Sequence, residues 1–222
     1  MPAPLTSEIR DGLAVVRMDD GKANAFSFAM LDALGAALDA AEREARALVL
    51  LGRPDRFSGG FDLGVMNAGG EAMVRLVTGG GRLALRLYEF PLPVVIGCTG
   101  HALAMGAVAL CAADLRIGAA GDYKIGLNEV AIGLTLPPFA LELARERLAP
   151  THLQRATGLA EIFDPAGAAA AGFLDRVVPP AEVEKACLEA AAALAALPAR
   201  AHAGTKRALR RAALDAIRAS LA

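Results

Sequence analysis

Two rhythms of apolar residues run along this chain. Leu13 to Met18 reads as a strand closed by the turn Asp19-Asp20-Gly21-Lys22. From Ser27 to Ala45 the apolar positions Met30, Leu31, Leu34, Ala37, Leu38 and Ala41 recur at the helical period, with Ser27 placed as N-cap. Ala47–Leu51, Val94–Ile96 and Leu115–Ile117 are short runs without clean alternation, as expected of strands covered on both faces. Helical patterning is expected over Arg82–Glu89, Leu103–Ala112, Phe139–Leu148, Pro165–Ala171 and Ala181–Leu197. Leu174–Val178 reads as a last strand, and Pro198 breaks the chain before a basic helix, His202–Leu221. Gly64–Thr78 has no decisive pattern, and Gly79-Gly80-Gly81 reads as a flexible break before a helix. Strands alternating with helices predict an α/β fold with parallel sheet and covering helices. Residues 1–197 are expected to form the core, with 198–222 as a C-terminal helical segment.

Composition narrows the function classes. At 222 residues the chain can bury one sizeable core, and 55% of it is hydrophobic. With 23 basic and 24 acidic residues, there is no electrostatic footprint for nucleic acid and no polybasic anchor for a membrane surface. Pro91–Ala113 carries no charged side chain until Asp114, but prolines and glycines divide it into pieces too short to span a bilayer. The N-terminal Met-Pro-Ala-Pro-Leu-Thr-Ser-Glu lacks a signal-peptide pattern. Cys98, Cys111 and Cys187 are too few and scattered for a disulfide framework, so a reducing, cytoplasmic setting is expected.

Three segments carry candidate chemistry. Phe57-Ser58-Gly59-Gly60-Phe61-Asp62-Leu63 contains paired glycines, which permit a sharp turn and close ligand approach to backbone N–H groups. An ordinary strand-to-helix turn has the same spelling. Gly100-His101-Ala102-Leu103-Ala104-Met105-Gly106 follows a strand and is expected to open a helix, whose first turn offers free N–H donors. Tight packing through its small residues is the competing reading. Glu129 lies among apolar neighbours in Ile125–Gly133, where desolvation would raise its pKa toward the general-base range; a solvated loop glutamate is the alternative. His101, His152 and His202 lack metal-ligand spacing, and no metal site is expected. Ser58 has no evident base, and Asp62 and Asp114 are read as caps of turns or helices.

These three motifs, in this order and spacing, resemble the crotonase superfamily of enoyl-CoA hydratases and isomerases over about Leu13 to Leu209. The resemblance implies a spiral of ββα units in two sheets, followed by helices that build a homotrimer or dimer of trimers. It implies an acyl-CoA thioester substrate, with coenzyme A as part of that substrate and no separate cofactor. The thioester oxygen would lie between the backbone N–H groups of Phe61 and Met105, with Glu129 as acid/base. Contacts to the CoA thioester are carried over to Lys22, Ala23, Asn24 and Ala25, and to Ser58, Gly60, Asp62, Leu63 and Gly106 around the two turns.

The chain departs from the hydratase pattern in one place that decides the chemistry. Hydratases of this family carry two glutamates; the first falls here on Val108, the second on Glu129. A valine neither moves a proton nor orients water. One carboxylate suits proton shuttling, and Ile125-Gly126-Leu127-Asn128-Glu129 is similar to the mitochondrial-type Δ3-Δ2-enoyl-CoA isomerases. The expectation is therefore an isomerase moving a 3-enoyl-CoA double bond to the 2-position. A 2-enoyl-CoA hydratase, or a catalytically weak acyl-CoA-binding subunit, are the alternatives. Met105 stands where the family commonly has glycine, so its side chain must be accommodated. The end at Ala222 is early for the family, so shortened terminal helices are expected. Met73–Leu87 with Ile132, Leu134 and Leu136 is read as an acyl-pocket lining.

Overall fold

The computed structural model describes residues 3–222. Met1 and Pro2, where the N-terminal targeting reading begins, lie outside the described residues. The elements run β1 (Leu5–Arg10), β2 (Leu13–Met18), α1 (Phe28–Glu44), β3 (Ala47–Leu51), β4 (Asp55–Ser58), α2 (Leu63–Ala68), α3 (Gly70–Glu89), β5 (Val94–Cys98), β6 (Gly100–Leu103) and α4 (Met105–Ala112). They continue through β7 (Leu115–Ala119), β8 (Ile125–Gly126), a 3₁₀ turn (Val130–Ile132), α5 (Pro138–Arg147), α6 (Pro150–Ala156) and α7 (Pro165–Ala171). The chain ends with β9 (Arg176–Val178), a second 3₁₀ turn (Pro180–Glu182), α8 (Val183–Ala195) and α9 (Ala199–Ser220).

Six strands form one sheet in the order β1-β2-β3-β5-β7-β9, and three form a second in the order β4-β6-β8. Only the β1–β2 pair is antiparallel among these. Each of β3, β5 and β7 gives one strand to the large sheet, and the next strand in sequence joins the small one. This is the spiral of ββα units that the resemblance implied.

The two faces of the large sheet explain its unalternating strands. On β3, Leu48 and Leu50 enter the main core with α1, α3, α4 and α5, while Ala47, Val49 and Leu51 pack against Val183, Cys187 and Ala191 of α8. A strand covered on both sides loses its polar positions. All three cysteines are buried and unpaired. Pro91–Ala113 divides into β5, β6 and α4, and no helix among the described residues is long and apolar enough to cross a membrane.

Several expectations change. Gly79–Gly81 is not a break: the glycines lie inside α3, which runs unbroken for 20 residues and takes in most of the undecided Gly64–Thr78 stretch, with α2 taking the rest. Three mid-helix glycines cost about 1 kcal/mol each relative to alanine, so packing must hold this helix. The turn at Gly100 does not open a helix directly. Gly100–Leu103 is strand β6, and α4 begins at Met105 rather than Leu103. The glycine turn at Phe57 is preceded by a strand, β4, that includes Phe57 and Ser58. Strand β1 and helix α6 had no clear sequence signal. The last two helices begin at Val183 and Ala199 instead of Ala181 and His202.

Asp114 caps no helix. Its carboxylate accepts from the N–H of Val94 at 2.7 Å and pairs with Lys206 at 2.7 Å and Arg210 at 2.8 Å. This buried cluster ties α9 to the core, and Arg210 also donates to the carbonyl of Tyr88 at 2.6 Å. Asp62 does cap α2, its Oδ1 accepting from Gly64 N–H at 2.8 Å, and Ser27 caps α1 by accepting from Met30 N–H at 3.2 Å.

Candidate active site

The site is assembled from a loop, two turns and the segment after β8. The loop after β2 is organised by Asp20, whose carboxylate accepts the N–H groups of Lys22, Asn24 and Ala25. Burial alone would raise that carboxyl's pKa, but the three backbone donors bring it below the usual carboxylate value. Asn24, fully buried with φ +49°, donates to the carbonyls of Met18 and Arg56. The loop is then laid along the first glycine turn. Gly59 N–H donates to Ala23 O at 2.8 Å, Phe26 N–H donates to Gly60 O at 2.8 Å, and Ser58 Oγ donates to Asn24 O at 2.7 Å. Ser58 also accepts from Gly60 N–H, which leaves its hydroxyl committed to structure.

The two turns meet backbone to backbone. Gly60 has φ +100°, and a Cβ placed on it would stand 2.9 Å from Ala104 Cβ and 3.7 Å from Met105 N. Only glycine meets both conditions. Ala104 itself is held at φ 50°, ψ −121°, a costly conformation for a residue with a Cβ. Its strain turns the chain so that Met105 begins α4. Gly106 lets that helix start close above β4, since a Cβ there would lie 2.8 Å from Ser58 O. Among the described residues neither Phe61 N–H nor Met105 N–H meets an acceptor. The result is a pair of neighbouring free backbone donors, one at a helix N-terminus, suited to an oxyanion.

The side chain of Met105 is accommodated across the site by α3. A Cβ on Gly80 would stand 2.4 Å from the Phe61 ring and 3.4 Å from Met105 Sδ. Gly80 leaves the space into which both side chains fit.

Glu129 follows β8 and precedes the 3₁₀ turn. It is 8% exposed, and its Oε2 is buried with no hydrogen-bond partner. Desolvation raises its pKa above the ordinary 4.5. Its carbonyl is held by the N–H groups of Ile132 and Leu134. Its neighbour Asn128 likewise leaves Oδ1 buried and unpaired. A buried carboxylate with no cation beside it is at once costly to stability and prepared for proton transfer.

A model of the enoyl-CoA hydratase/isomerase family matches residues 8–222. The chain belongs to the enoyl-CoA hydratase/isomerase family. It is 32% identical to the human mitochondrial enoyl-CoA delta isomerase 1 over 209 residues, covering 90% of this chain and 68% of the relative. It is 34% identical to a probable enoyl-CoA hydratase of Rhodobacter capsulatus, covering 90% of this chain and 79% of that one. A solved Mycobacterium tuberculosis protein, described in one structure as an enoyl-CoA isomerase and in another as a probable enoyl-CoA hydratase, superposes in the first with a TM-score of 0.95 at 46% identity, covering 100% of this chain and 97% of that one. The family acts on acyl-CoA thioesters, which supports binding of that substrate class by this chain.

Within that family setting, Val108 sits on α4, which is buried along its whole length, and is 1% exposed. Lys22 and Leu63 stand at the rim: Lys22 is exposed, its carbonyl held by Arg53, and Leu63 is 66% exposed. Of the residues read as acyl-pocket lining, some are buried in the core and some are exposed. Leu76, Leu83, Leu87 and Leu136 are core residues, while Ile132 and Leu134 are exposed beside Glu129. The histidines lie apart. His101 accepts from Lys124 N–H through Nδ1, a structural contact. Sequence reasoning missed Asp20, Asn128 and Gly80; for Asp20 the Asp-x-x-x-Asn spacing was the available signal.

Proposed function

We propose that this member of the enoyl-CoA hydratase/isomerase family is an enoyl-CoA isomerase. The observation that carries the reading is a single buried carboxylate, Glu129, whose Oε2 has no hydrogen-bond partner, in a site where the family's other acid position is Val108. Glu129 removes a proton from C2 of a 3-enoyl-CoA. The charge spreads onto the thioester oxygen, where the N–H groups of Phe61 and Met105 stabilise the dienolate. Glu129 then returns the proton to C4, and the conjugated 2-enoyl-CoA leaves.

Each such backbone donor is typically worth about 10²–10³ in rate. A positioned general base adds about 10²–10⁴. The loop from Lys22 to Ala25, anchored to the glycine turn, is assigned to the CoA portion of the substrate, with Ser58, Gly60, Asp62, Leu63 and Gly106 shaping the thioester end. The test is Glu129→Gln. Turnover of 3-enoyl-CoA should fall by about 10²–10⁴ with CoA-thioester binding retained. Unchanged turnover would remove Glu129 from the mechanism.

A further inference from the structure

Helix α3 carries Gly79-Gly80-Gly81 in its interior, although each glycine weakens a helix by about 1 kcal/mol relative to alanine. The three positions differ in what a side chain would meet. At Gly79 a Cβ would touch only Leu31 Cδ1, at 3.1 Å. At Gly81 it would meet Leu221 at 2.6 Å and Phe139 at 2.8 Å, both ordinary packing partners. At Gly80 it would overlap Cε1 and Cζ of Phe61 at 2.4 Å and approach Met105 Sδ at 3.4 Å. These are the two residues whose backbone N–H groups form the donor pair, and they come from different turns.

We infer that Gly80 is a positioning residue: the missing Cβ sets where Phe61 and Met105 seat, and so aims both of their N–H groups at one point. This rests on the oxyanion reading of Phe61 and Met105. The backbone around Phe61 has little freedom to absorb a push, because Phe26 N–H holds Gly60 O and the turn abuts Ala104. A ring displaced from α3 must therefore rotate the Phe61 peptide or swing into the space beside Met105. A misplacement of about 1 Å at such a site costs on the order of 10²-fold.

The experiment compares wild type, Gly80→Ala, Gly79→Ala, Phe61→Leu and the double variant Gly80→Ala/Phe61→Leu. Phe61→Leu keeps the backbone N–H and removes the ring atoms that a Cβ at residue 80 would strike. Two signals are read: kcat and KM on the acyl-CoA substrate, and the ultraviolet enolate absorbance of bound acetoacetyl-CoA, which reports oxyanion stabilisation without turnover. Gly80→Ala should lower kcat about 10²-fold, with KM changed far less, and should weaken the enolate band. Gly79→Ala should leave both signals as in wild type. The double variant should recover part of both losses. If Gly80→Ala folds poorly, the Phe61→Leu background gives the same comparison, and adding Gly80→Ala there should not weaken the band further.

An enolate band in wild type that persists in Gly80→Ala, or losses in the double variant that simply add, would overturn the role of Gly80 alone. No enolate band in wild type would overturn the oxyanion reading and this inference with it.

Discussion

The backbone N–H of Ala104 donates to the carbonyl of Gly126 at 3.0 Å. This bond joins the turn that presents Met105 to the strand that leads, three residues later, into Glu129. The paired register of Leu103 with Gly126 in the small sheet fixes the same relationship from the neighbouring residue. The proposed acid/base, Glu129, and one proposed oxyanion donor, Met105, are therefore set by a single strand pair rather than by independent loops. Sites built on rigid elements hold their geometry better than sites on loops.

Glu129 should cost stability while it supports chemistry. Burial raises its folded pKa above 4.5, so the native state favours the protonated carboxyl more than the unfolded chain does. Stability contributed by this group is present at acidic pH and is lost as pH rises from 4.5 through the raised folded value. Glu129→Gln should therefore melt higher than wild type at neutral pH, with the gap shrinking toward acidic pH. The acid limb of kcat/KM in wild type should lie above 4.5. Thermal melts and a pH–rate profile check both.

Gly60→Ala should damage the site from the opposite side to Gly80. The new Cβ at φ +100° would stand 2.9 Å from Ala104 Cβ, forcing apart the turns that carry Phe61 and Met105. Strain of this kind costs about 1–3 kcal/mol. The expected outcome is a lower melting temperature together with a lower kcat, measured on the same preparation.

The Asp114 cluster should respond asymmetrically. Asp114→Ala leaves two buried cations, Lys206 and Arg210, without their carboxylate, and should destabilise by about 3–5 kcal/mol. Lys206→Met leaves Asp114 still served by Arg210 and Val94 N–H, and should change stability far less. Burial pushes Lys206 down from 10.5 to about 8. Its folded pKa is thus below its unfolded one, so wild-type stability should rise between about 8 and 10.5, and Lys206→Met should flatten that rise. Denaturant titrations across that range read both effects.

Asp62→Ala removes the N-cap of α2, an interaction worth about 1 kcal/mol. Since α2 buries none of its residues, the loss should stay local. Amide hydrogen exchange should quicken in Leu63–Ala68 while the global melting temperature stays nearly constant.

Much of this was legible in the sequence because burial leaves a pattern. β3, β5 and β7 stood out as apolar runs, and Ser27 marked the start of α1 by its chemistry. The small sheet was not legible, since β4 and β6 open on Asp55-Arg56 and Gly100-His101 and β8 is two residues long. Helix α3 was hidden because local propensity at Gly79–Gly81 opposes a structure held by tertiary packing. Likewise, Asp114 meets Lys206 and Arg210 across 92 and 96 residues, which no local signal anticipates. The Phe61, Met105 and Glu129 segments were singled out as candidates through ordered motifs. The glycine that seats two of them was not, because its role appears only when α3 lies over both turns.

Whether one carboxylate and two backbone donors make an isomerase is read by a paired assay of the purified protein. One arm follows 3-enoyl-CoA for appearance of the conjugated 2-enoyl product; the other follows 2-enoyl-CoA for loss of conjugation. Rapid gain is expected in the first arm and little loss in the second, with Val108 as the reason. Rapid hydration of 2-enoyl-CoA would contradict it and show that Glu129 alone can activate water in this site.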